Sequence, residues 1–448
     1  MQIRYYQQKK KRLFTFFQSP FSTLFFSFAM FFFLFYSIPD AMTQLKTEGL
    51  SLELLNDEDY VTKKEDVDSS SFYYLNVVRQ HIKDDLAQKH SFPSSISVED
   101  KHETLTLTYS FDEELTAQIK KIIGRYRPDY ASVVVLENRT GKVLSLYDFS
   151  RKKGEITPQL ALGPHHPAAS LIKVVTSAAL LEQSGFSTDE NFTYRGRSTT
   201  LYRYQLKPDS KRGRARTSTF KRAFAKSNNV VFARAAEQLL GPGDLYEMAK
   251  KFGFNEGINY EFPLYPSVFQ RSTDTYHAAE LASGFNKETL ISPLHAALMV
   301  SVAANKGKLV YPRFIDKVNL SVAGEDLILP GQTDKQVVSS EVAKELRELM
   351  KRTIVEGTAR KSFRRFSRKL KGKLEMGGKT GSLTGGVPFG KRDWFIMYAL
   401  PKDENNVEEV GHGVSIAVML VNKKRWYVKA AYLARKITEY YFRRELKQ

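Results

Sequence analysis

The sequence begins with a basic segment and a long apolar run. Residues 13–38 contain no charged residue and many phenylalanines, and five lysine or arginine residues with no acid precede them. An apolar helix of about 20 residues spans a hydrocarbon core of roughly 30 Å, and flanking cations favour the cytoplasmic side. We therefore predict a cytoplasmic basic segment at residues 1–12, a transmembrane signal anchor at residues 13–38 and an extracytoplasmic remainder. The residues after the run lack a convincing cleavage pattern, which favours an uncleaved anchor over a removed signal peptide.

The net charge of +19 is distributed unevenly along the chain. Residues 39–104 carry 14 acidic and seven basic residues, whereas the sequence after residue 104 carries a net charge of +21. Residues 360–373 alone contain eight basic residues and no acid. Such a run forms either an ordinary solvated surface or one that attracts an anionic polymer or membrane surface. Because this region is predicted to be extracytoplasmic, nucleic acid is not an expected partner.

Composition and periodicity predict one large domain of the α+β class. Residues 39–104 are predicted to be an acidic juxtamembrane linker or a very small module, and residues 105–448 contain the domain. Two β-rich runs flank a turn at residues 138–141, helical stretches follow, among them residues 218–241, and strand-like runs return later. This order favours an antiparallel sheet that is flanked by helices. The edges of the sheet would come from both ends of the domain. Because the chain has no cysteine, it has no disulfides, no thiolate nucleophile and no cysteine metal ligands.

One of three Ser-x-x-Lys sequences opens an apolar helical stretch. The spacing occurs at residues 150–153, 170–173 and 218–221, and only Ser170 and Lys173 begin such a run. Side chains three residues apart on a helix can touch, and the helix N-terminus favours an alkoxide and a deprotonated lysine. A serine nucleophile needs such a base. The alternative is that Ser170 caps the helix while Lys173 extends to solvent.

Two further motifs follow in the sequence. Residues 227–229 read Ser-Asn-Asn, a Ser-x-Asn triplet, and residues 379–382 read Lys-Thr-Gly-Ser. Taken singly, Ser227 and Asn229 could cap a helix and Lys379 could lie beside a turn. Together with the Ser-x-x-Lys pair, and in this order, the motifs resemble the signature of serine acyltransferases that act on acyl-D-alanyl-D-alanine and β-lactams.

The sequence thus resembles penicillin-binding protein transpeptidase domains, over roughly residues 105–448. The similarity includes the hairpin at residues 130–149 and a Trp-Phe strand at residues 392–400. The fold that this resemblance implies is an antiparallel sheet flanked by helices, which serine β-lactamases share. No metal ion or organic cofactor is implied.

The resemblance assigns the proton-transfer steps to three residues. Ser170 would attack the carbonyl of the penultimate D-alanine, and Lys173 would take the proton of its hydroxyl. Ser227 would pass that proton to the amine of the departing D-alanine.

The remaining motif residues are implied in substrate binding. Asn229 would hold the substrate amide, and Lys379 would face the terminal carboxylate, to which Thr380 and Ser382 would donate hydrogen bonds. Gly381 would leave space for the substrate to lie against the strand as an added β-strand. The backbone N–H groups of Ser382 and of the nucleophile would form the oxyanion hole.

The resemblance implies a bacterial D,D-transpeptidase, anchored in the cytoplasmic membrane with its catalytic domain in the periplasm. Its expected ligands are peptidoglycan stem peptides, their lipid-linked precursor and β-lactams, which would inhibit it covalently. The short segment between anchor and domain leaves no room for a glycosyltransferase module or a substantial pedestal. We therefore expect a specialised role or positioning by a cell-wall synthesis partner protein.

Three other functions stay open from the sequence. A D,D-carboxypeptidase differs only in using water as the acceptor. A β-lactamase needs a deacylating base, for which Glu261 is the candidate, but Tyr265 stands where the lactamase element has asparagine. A membrane-anchored sensor or scaffold that binds wall fragments would not need all three motifs.

Overall fold

The computed structural model describes residues 69–88, 94–99, 104–152, 159–207, 210–258, 261, 265–321, 324, 326–327, 334–402 and 413–445. The predicted cytoplasmic segment (1–12) and the predicted anchor (13–38) lie outside these residues. Within the described residues, no helix is both long enough and apolar enough to cross a bilayer.

The described residues form helices and strands in alternating groups. The helices are α1 (Ser69–Gln88), α2 (Glu113–Tyr126), α3 (Lys173–Leu181), α4 (Arg203–Leu206), α5 (Phe220–Lys226), α6 (Asn229–Leu239), α7 (Asp244–Lys251), α8 (Thr275–Ser283), α9 (Pro293–Ala304), α10 (Ser340–Val355), α11 (Arg360–Phe363), α12 (Arg368–Lys371) and α13 (Ala430–Glu445). The strands are β1 (Ser95–Glu99), β2 (Thr104–Tyr109), β3 (Tyr130–Glu137), β4 (Val143–Ser150), β5 (His166–Pro167), β6 (Asn191–Arg195), β7 (Ala215–Thr219), β8 (Leu290–Ile291), β9 (Lys308–Leu309), β10 (Ile315–Leu320), β11 (Asp326–Leu327), β12 (Lys335–Gln336), β13 (Leu374–Gly385), β14 (Gly390–Pro401) and β15 (Val414–Asn422).

A five-stranded antiparallel sheet organises the molecule. Its strand order is β13-β14-β15-β3-β4. One edge is therefore β4, from the hairpin near the start of the domain, and the other is β13, from late in the sequence. The predicted turn at residues 138–141 joins β3 to β4. The prediction of an α+β fold with an antiparallel sheet flanked by helices is therefore confirmed.

Both faces of this sheet are covered by apolar helices. On one face, α2 and α13 pack against alternate residues of the central strands, such as Val133 and Val418. On the other face lies α9, in which every side chain from Pro293 to Ala303 is buried. Because successive side chains of a strand point to opposite faces, strands buried on both faces read as continuous apolar runs. The fully buried β15 has this pattern.

Helix α1 and strand β1 contribute to the same apolar core as the rest of the domain. Leu75, Val78 and Ile82 of α1 and Val98 of β1 belong to the cluster that also contains α9. Strand β1 pairs with β2 in a four-stranded sheet of order β1-β2-β10-β11. The compact unit spans Asp68–Gln448 and thus takes in the last part of the segment that we expected to be linker or small module.

The helical stretch predicted for residues 218–241 is two helices rather than one. Strand β7 precedes it up to Thr219, and the chain turns at Ser227, which ends α5 with a left-handed backbone (φ 56°). Asn228 then caps α6, since its side chain accepts hydrogen bonds from the backbone N–H groups of Val230 and Val231. The Ser-x-Asn motif therefore lies at a break between helices, where its side chains can leave the helix surface.

Candidate active site

Ser170 lies in a tight 3₁₀ turn that leads into α3. The turn spans Ala169–Ile172, and Ala169 adopts the left-handed conformation (φ 50°), which is uncommon for a residue with a side chain. The carbonyl oxygen of Ala169 occupies the space that a Cβ atom on Gly284 would need. Gly284, itself at φ 67°, therefore permits the close approach that shapes this turn.

Lys173 is fully buried beneath Ser170. Its Nζ lies 2.9 Å from Ser170 Oγ and 2.8 Å from Asn229 Oδ1, and it also donates to the carbonyl of Ser283. Burial, together with the nearby Lys379, holds the pKa of Lys173 well below its ordinary value. A neutral Lys173 can donate to Asn229 and Ser283 while its lone pair accepts the proton of Ser170.

The alternative that Ser170 caps the helix and Lys173 extends to solvent is therefore wrong. No side chain caps the 3₁₀ turn or the start of α3, and Lys173 has no exposed surface. The arrangement pairs a half-buried hydroxyl with an amine that can act as its base.

The Ser-x-Asn motif faces both lysines. Ser227 Oγ accepts a hydrogen bond from Lys379 Nζ at 2.9 Å, while Asn229 Oδ1 accepts from Lys173. The Asn229 side-chain amide donates to the carbonyl of Thr199 at 3.2 Å. Asn229 thus orients Lys173, the candidate base. The residue that caps α6 is Asn228, the middle residue of the motif, and not Asn229.

Lys379 lies in the middle of β13 rather than beside a turn. It is fully buried, and besides Ser227 it donates to the carbonyl of Thr380 at 2.9 Å. Burial lowers the pKa of Lys379 to about 7. Near neutral pH the site can therefore gain or lose a positive charge at this position.

Strand β13 forms an edge of the five-stranded sheet next to the turn that carries Ser170. A Cβ atom on Gly381 would lie 3.2 Å from Leu171 Cγ and 3.3 Å from the carbonyl oxygen of Ala168, tighter than ordinary contacts. Gly381 therefore lets the strand approach the turn closely. Ser382 is exposed, which leaves its hydroxyl accessible to a ligand.

The sequence analysis missed three polar partners of the site. Ser283 and Thr199 act through backbone carbonyls, which every residue has, so no sequence signal could have found them. Thr358 contributes its hydroxyl, which lies 2.6 Å from the hydroxyl of Thr380. The Gly-Thr-Ala sequence at residues 357–359 is the signal that could have identified Thr358.

A buried arginine ties the β13–β14 hairpin to the segment that precedes Ser170. Arg392 donates to His166 Nδ1 at 3.2 Å and to the carbonyls of Pro388 and Gly390 at 2.6 and 3.1 Å. Trp394 Nε1 donates to the carbonyl of Pro167 at 3.1 Å. Burial and the adjacent guanidinium lower the pKa of His166 to about 3, which keeps this imidazole neutral and able to accept.

Glu261, the candidate deacylating base, binds backbone N–H groups instead. Its carboxylate accepts hydrogen bonds from Phe314 and Ile315 at 2.6 and 2.9 Å. Burial raises its pKa to about 7. Since it contacts neither Ser170 nor Lys173, the geometry gives no support to a lactamase base at this residue.

Comparison with known proteins identifies relatives of this chain. A family model described as penicillin binding protein transpeptidase domain matches residues 131–436. Stage V sporulation protein D of Bacillus subtilis is 24% identical over 300 residues, which cover 62% of this chain and 43% of the relative. The peptidoglycan D,D-transpeptidase PbpA of Mycobacterium tuberculosis is 27% identical over 265 residues, 51% of each chain. The chain spans about half or less of the curated relatives it matches.

Solved structures share the fold. Penicillin binding protein 3 from Mycobacterium tuberculosis, complexed with ampicillin, has a TM-score of 0.63 and 21% identity, and the match covers 78% of this chain and 81% of that one. The D,D-transpeptidase domain of a peptidoglycan glycosyltransferase from Eggerthella lenta has a TM-score of 0.59 and 19% identity, covering 76% and 83%.

The lowered pKa of Lys379 predicts how its replacement changes stability with pH. The folded state releases the Lys379 proton near pH 7, whereas the unfolded state holds it up to about pH 10.5. Below pH 7 the buried charge of Lys379 therefore lowers the free energy of unfolding by its full amount. Between pH 7 and pH 10.5 this penalty shrinks by about 1.4 kcal/mol per pH unit. We expect Lys379→Met to raise the free energy of unfolding, and to do so more at pH 6 than at pH 9.

Urea denaturation at both pH values measures this difference. Lys373→Met, at an exposed position just before β13, is the matched control and should change stability by less than about 0.5 kcal/mol at either pH. A stability gain for Lys379→Met that is equal at the two pH values, or larger at pH 9, would contradict the assignment.

Proposed function

The chain belongs to the penicillin-binding protein transpeptidase family, and from this premise we propose that it is a D,D-transpeptidase. It would join peptidoglycan stem peptides through an acyl-enzyme on Ser170, and β-lactams would inhibit it by acylating the same residue. The observation that carries the proposal is the contact of a buried Lys173, with its lowered pKa, with Ser170 Oγ at 2.9 Å. This contact supports the assignment of Lys173 as the base of a serine nucleophile.

In the proposed acylation, two proton transfers accompany the exchange of bonds. Ser170 Oγ attacks the carbonyl of the penultimate D-alanine while its proton moves to Lys173 Nζ. The amide bond to the terminal D-alanine then breaks as the proton passes from Lys173 through the Ser227 hydroxyl to the departing amine. An acceptor amine next attacks the Ser170 ester; the new amide bond forms, the ester bond breaks, and the proton that the acceptor amine loses returns to Ser170 Oγ.

The substrate would lie along the free edge of β13. Lys379, Thr380 and Ser382 would bind its terminal carboxylate, and Gly381 would allow the close approach of the substrate backbone. A carboxylate at this position favours the charged form of Lys379. The backbone N–H groups of Ser170 and Ser382 would stabilise the oxyanion, and Asn229 would contact the substrate amide in addition to Lys173.

The proposal includes a membrane location. Residues 1–12 would lie in the cytoplasm, and residues 13–38 would anchor the chain in the bacterial cytoplasmic membrane with the domain on the periplasmic side. The eight cations of residues 360–373 are all exposed, and none forms an ion pair within the described chain. This surface would hold the domain near anionic lipids or wall polymers.

Membrane fractionation tests the anchor. The full chain should stay in a membrane pellet through washes with high salt, whereas a variant without residues 1–38 should be released, because salt screens exposed charges but not apolar burial. Release of the full chain by salt alone would contradict the anchor and would attribute membrane binding to electrostatic attraction.

Labelling with a fluorescent penicillin tests the nucleophile. Wild-type protein should become labelled, Ser170→Ala should not, and Ser150→Ala, at another Ser-x-x-Lys position, should be labelled as wild type. Labelling should slow as the pH falls, because protonation of Lys173 removes the base. Absence of label on folded wild-type protein, or label that survives in Ser170→Ala, refutes the proposal.

Acceptor choice separates the transpeptidase from the carboxypeptidase. The protein is incubated with a peptide ending in D-alanyl-D-alanine and an excess of a different D-amino acid. A transpeptidase should yield the exchanged peptide, whereas a carboxypeptidase yields only the shortened one. Penicillin labelling without either product would favour the sensor or scaffold.

A further inference from the structure

Two apolar side chains are exposed at the tip of the β13–β14 hairpin. Phe389 is 69% exposed and Val387 is 59% exposed, and both lie between Gly385, which ends β13, and Gly390, which begins β14. Among the described large apolar side chains, Phe389 is the most exposed. Apolar side chains that project together from a hairpin offer a contact to something outside the molecule.

A basic and aromatic segment lies beside this tip. Residues 423–429 follow β15 and read Lys-Lys-Arg-Trp-Tyr-Val-Lys. Lys391 of the hairpin pairs with Asn422, the last residue of β15, which brings the segment to the base of the hairpin. Trp426 and Tyr427 are partly exposed, so that both rings reach the protein surface.

The charge of this surface is positive. Lys391, Lys424, Arg425 and Lys429 are exposed and form no ion pair within the described part of the chain. Asp393, which attracts Lys391 and Lys429, is only 7% exposed and accepts a backbone hydrogen bond. The apolar, aromatic and cationic side chains together form the hairpin surface, which comprises Val387, Phe389, Lys391, Lys424, Arg425, Trp426, Tyr427 and Lys429.

The chemistry of the hairpin surface favours a bilayer over other anionic or sugar-containing partners. A sugar ring would need a free aromatic face, but Lys429 and Lys391 Nζ lie 3.1 and 5.0 Å from the centre of the Trp426 ring. A soluble polyanion would bind the cations and leave Phe389 and Val387 in water. At a bilayer surface the cations meet anionic headgroups, the aromatic rings lie at headgroup level, and the apolar side chains reach the acyl chains.

We propose that the hairpin surface docks on an anionic bilayer, with Phe389 and Val387 inserted into its interface. The proposal rests on the proposed membrane location, since a fully extended chain of the length of residues 39–68 spans about 100 Å and would let the domain reach the bilayer. Ser382 lies three residues before Gly385, about 10 Å along β13. Docking therefore holds the candidate active site close to the membrane surface.

The basic run at residues 360–373 differs from the hairpin surface in one respect. Its apolar side chains Phe363, Phe366 and Leu370 are buried, so that only its cations are available to a partner. The run can attract an anionic surface but has no apolar side chain to insert. It thus supplies a control with the same charge.

Trp426 is a built-in reporter of docking. The chain has two tryptophans, and the other, Trp394, has no exposed surface. The full chain is reconstituted into vesicles of phosphatidylcholine, with or without phosphatidylglycerol, whose acyl chains carry bromine as a short-range quencher of tryptophan fluorescence. Vesicles with phosphatidylglycerol should quench wild type, high salt should reduce the quenching, and Trp426→Phe should show none.

Variants separate insertion from charge. Val387→Ser with Phe389→Ser should abolish the quenching, because the apolar contact is lost. Lys424→Gln with Arg425→Gln should lower the ratio of docked to undocked domain by about tenfold or more. Arg364→Gln with Arg365→Gln, the same change of charge in the basic run, should keep the quenching of wild type. All six positions are exposed, and thermal unfolding checks that each variant folds.

The outcomes distinguish the surface from the anchor. Wild type that stays with the vesicles without being quenched, or quenching that is equal with and without phosphatidylglycerol, overturns the proposal. So does an equal loss in the two charge variants. A change of Trp426 emission with soluble inorganic polyphosphate, without quenching by lipid, assigns the surface to a polyanion instead. Failure of the full chain to stay with either vesicle in high salt contradicts the proposed membrane anchor.

Discussion

Two lysine side chains are buried without a carboxylate partner in the described chain, and the rest of the site is organised around them. Lys173 and Lys379 have no exposed surface, and their amines form hydrogen bonds with hydroxyl, amide and carbonyl oxygens. Burying an ammonium without a counter-ion is costly, and a group in this position lowers its pKa instead. The fold therefore contains two amines whose pKa values are lowered by burial, that of Lys379 to about 7, at a cost in stability that the two apolar cores on the faces of the sheet must offset. A carboxylate beside Lys173 would reduce that cost, but it would also favour the protonated amine and so remove the base.

The two lysines come from distant parts of the sequence, so their geometry depends on how two elements are joined. Lys173 begins α3, whereas Lys379 lies on the edge strand β13. The contacts of Arg392 with His166 and of Trp394 with Pro167 fix the hairpin that contains β13 to the residues just before the Ser170 turn. Two residues of this site region have a left-handed backbone: Ala169, which precedes Ser170, and Ser227, which contacts Lys379. Such strained residues persist where the surrounding packing determines them, which is consistent with a site held in place by the sheet.

Much of this arrangement could be predicted from the sequence, for identifiable reasons. The continuous apolar runs of β3 and β15 and the turn between β3 and β4 predicted the sheet. Helical spacing predicted the contact of Ser170 with Lys173, and the family resemblance implied that Ser227, Asn229 and Lys379 join them. The break at Ser227 could not be seen, because both flanking segments have helical periodicity and local pattern does not encode a left-handed residue that tertiary contacts stabilise. The docking of α1 into the core was also missed, since Leu75, Val78 and Ile82 are the fully buried members among its described side chains and the surrounding sequence is polar and acidic. Likewise, the second role of Asn229, which orients Lys173, depends on a distance between elements far apart in sequence.

Because the pKa of Lys379 is lowered to about 7, substrate binding can change the charge on this lysine. Burial lowers the pKa of Lys379 to about 7, and the charge that Lys379 carries contributes, after burial, to the lowered pKa of Lys173. In the proposed reaction, a substrate carboxylate beside Lys379 favours its charged form, so that binding draws a proton onto this lysine. The carboxylate offsets much of that charge at Lys173, so burial, the larger cause of its lowered pKa, is what keeps this base available for the Ser170 proton. Substrate binding would thus change the charge of one buried lysine while burial preserves the proton-accepting form of the other.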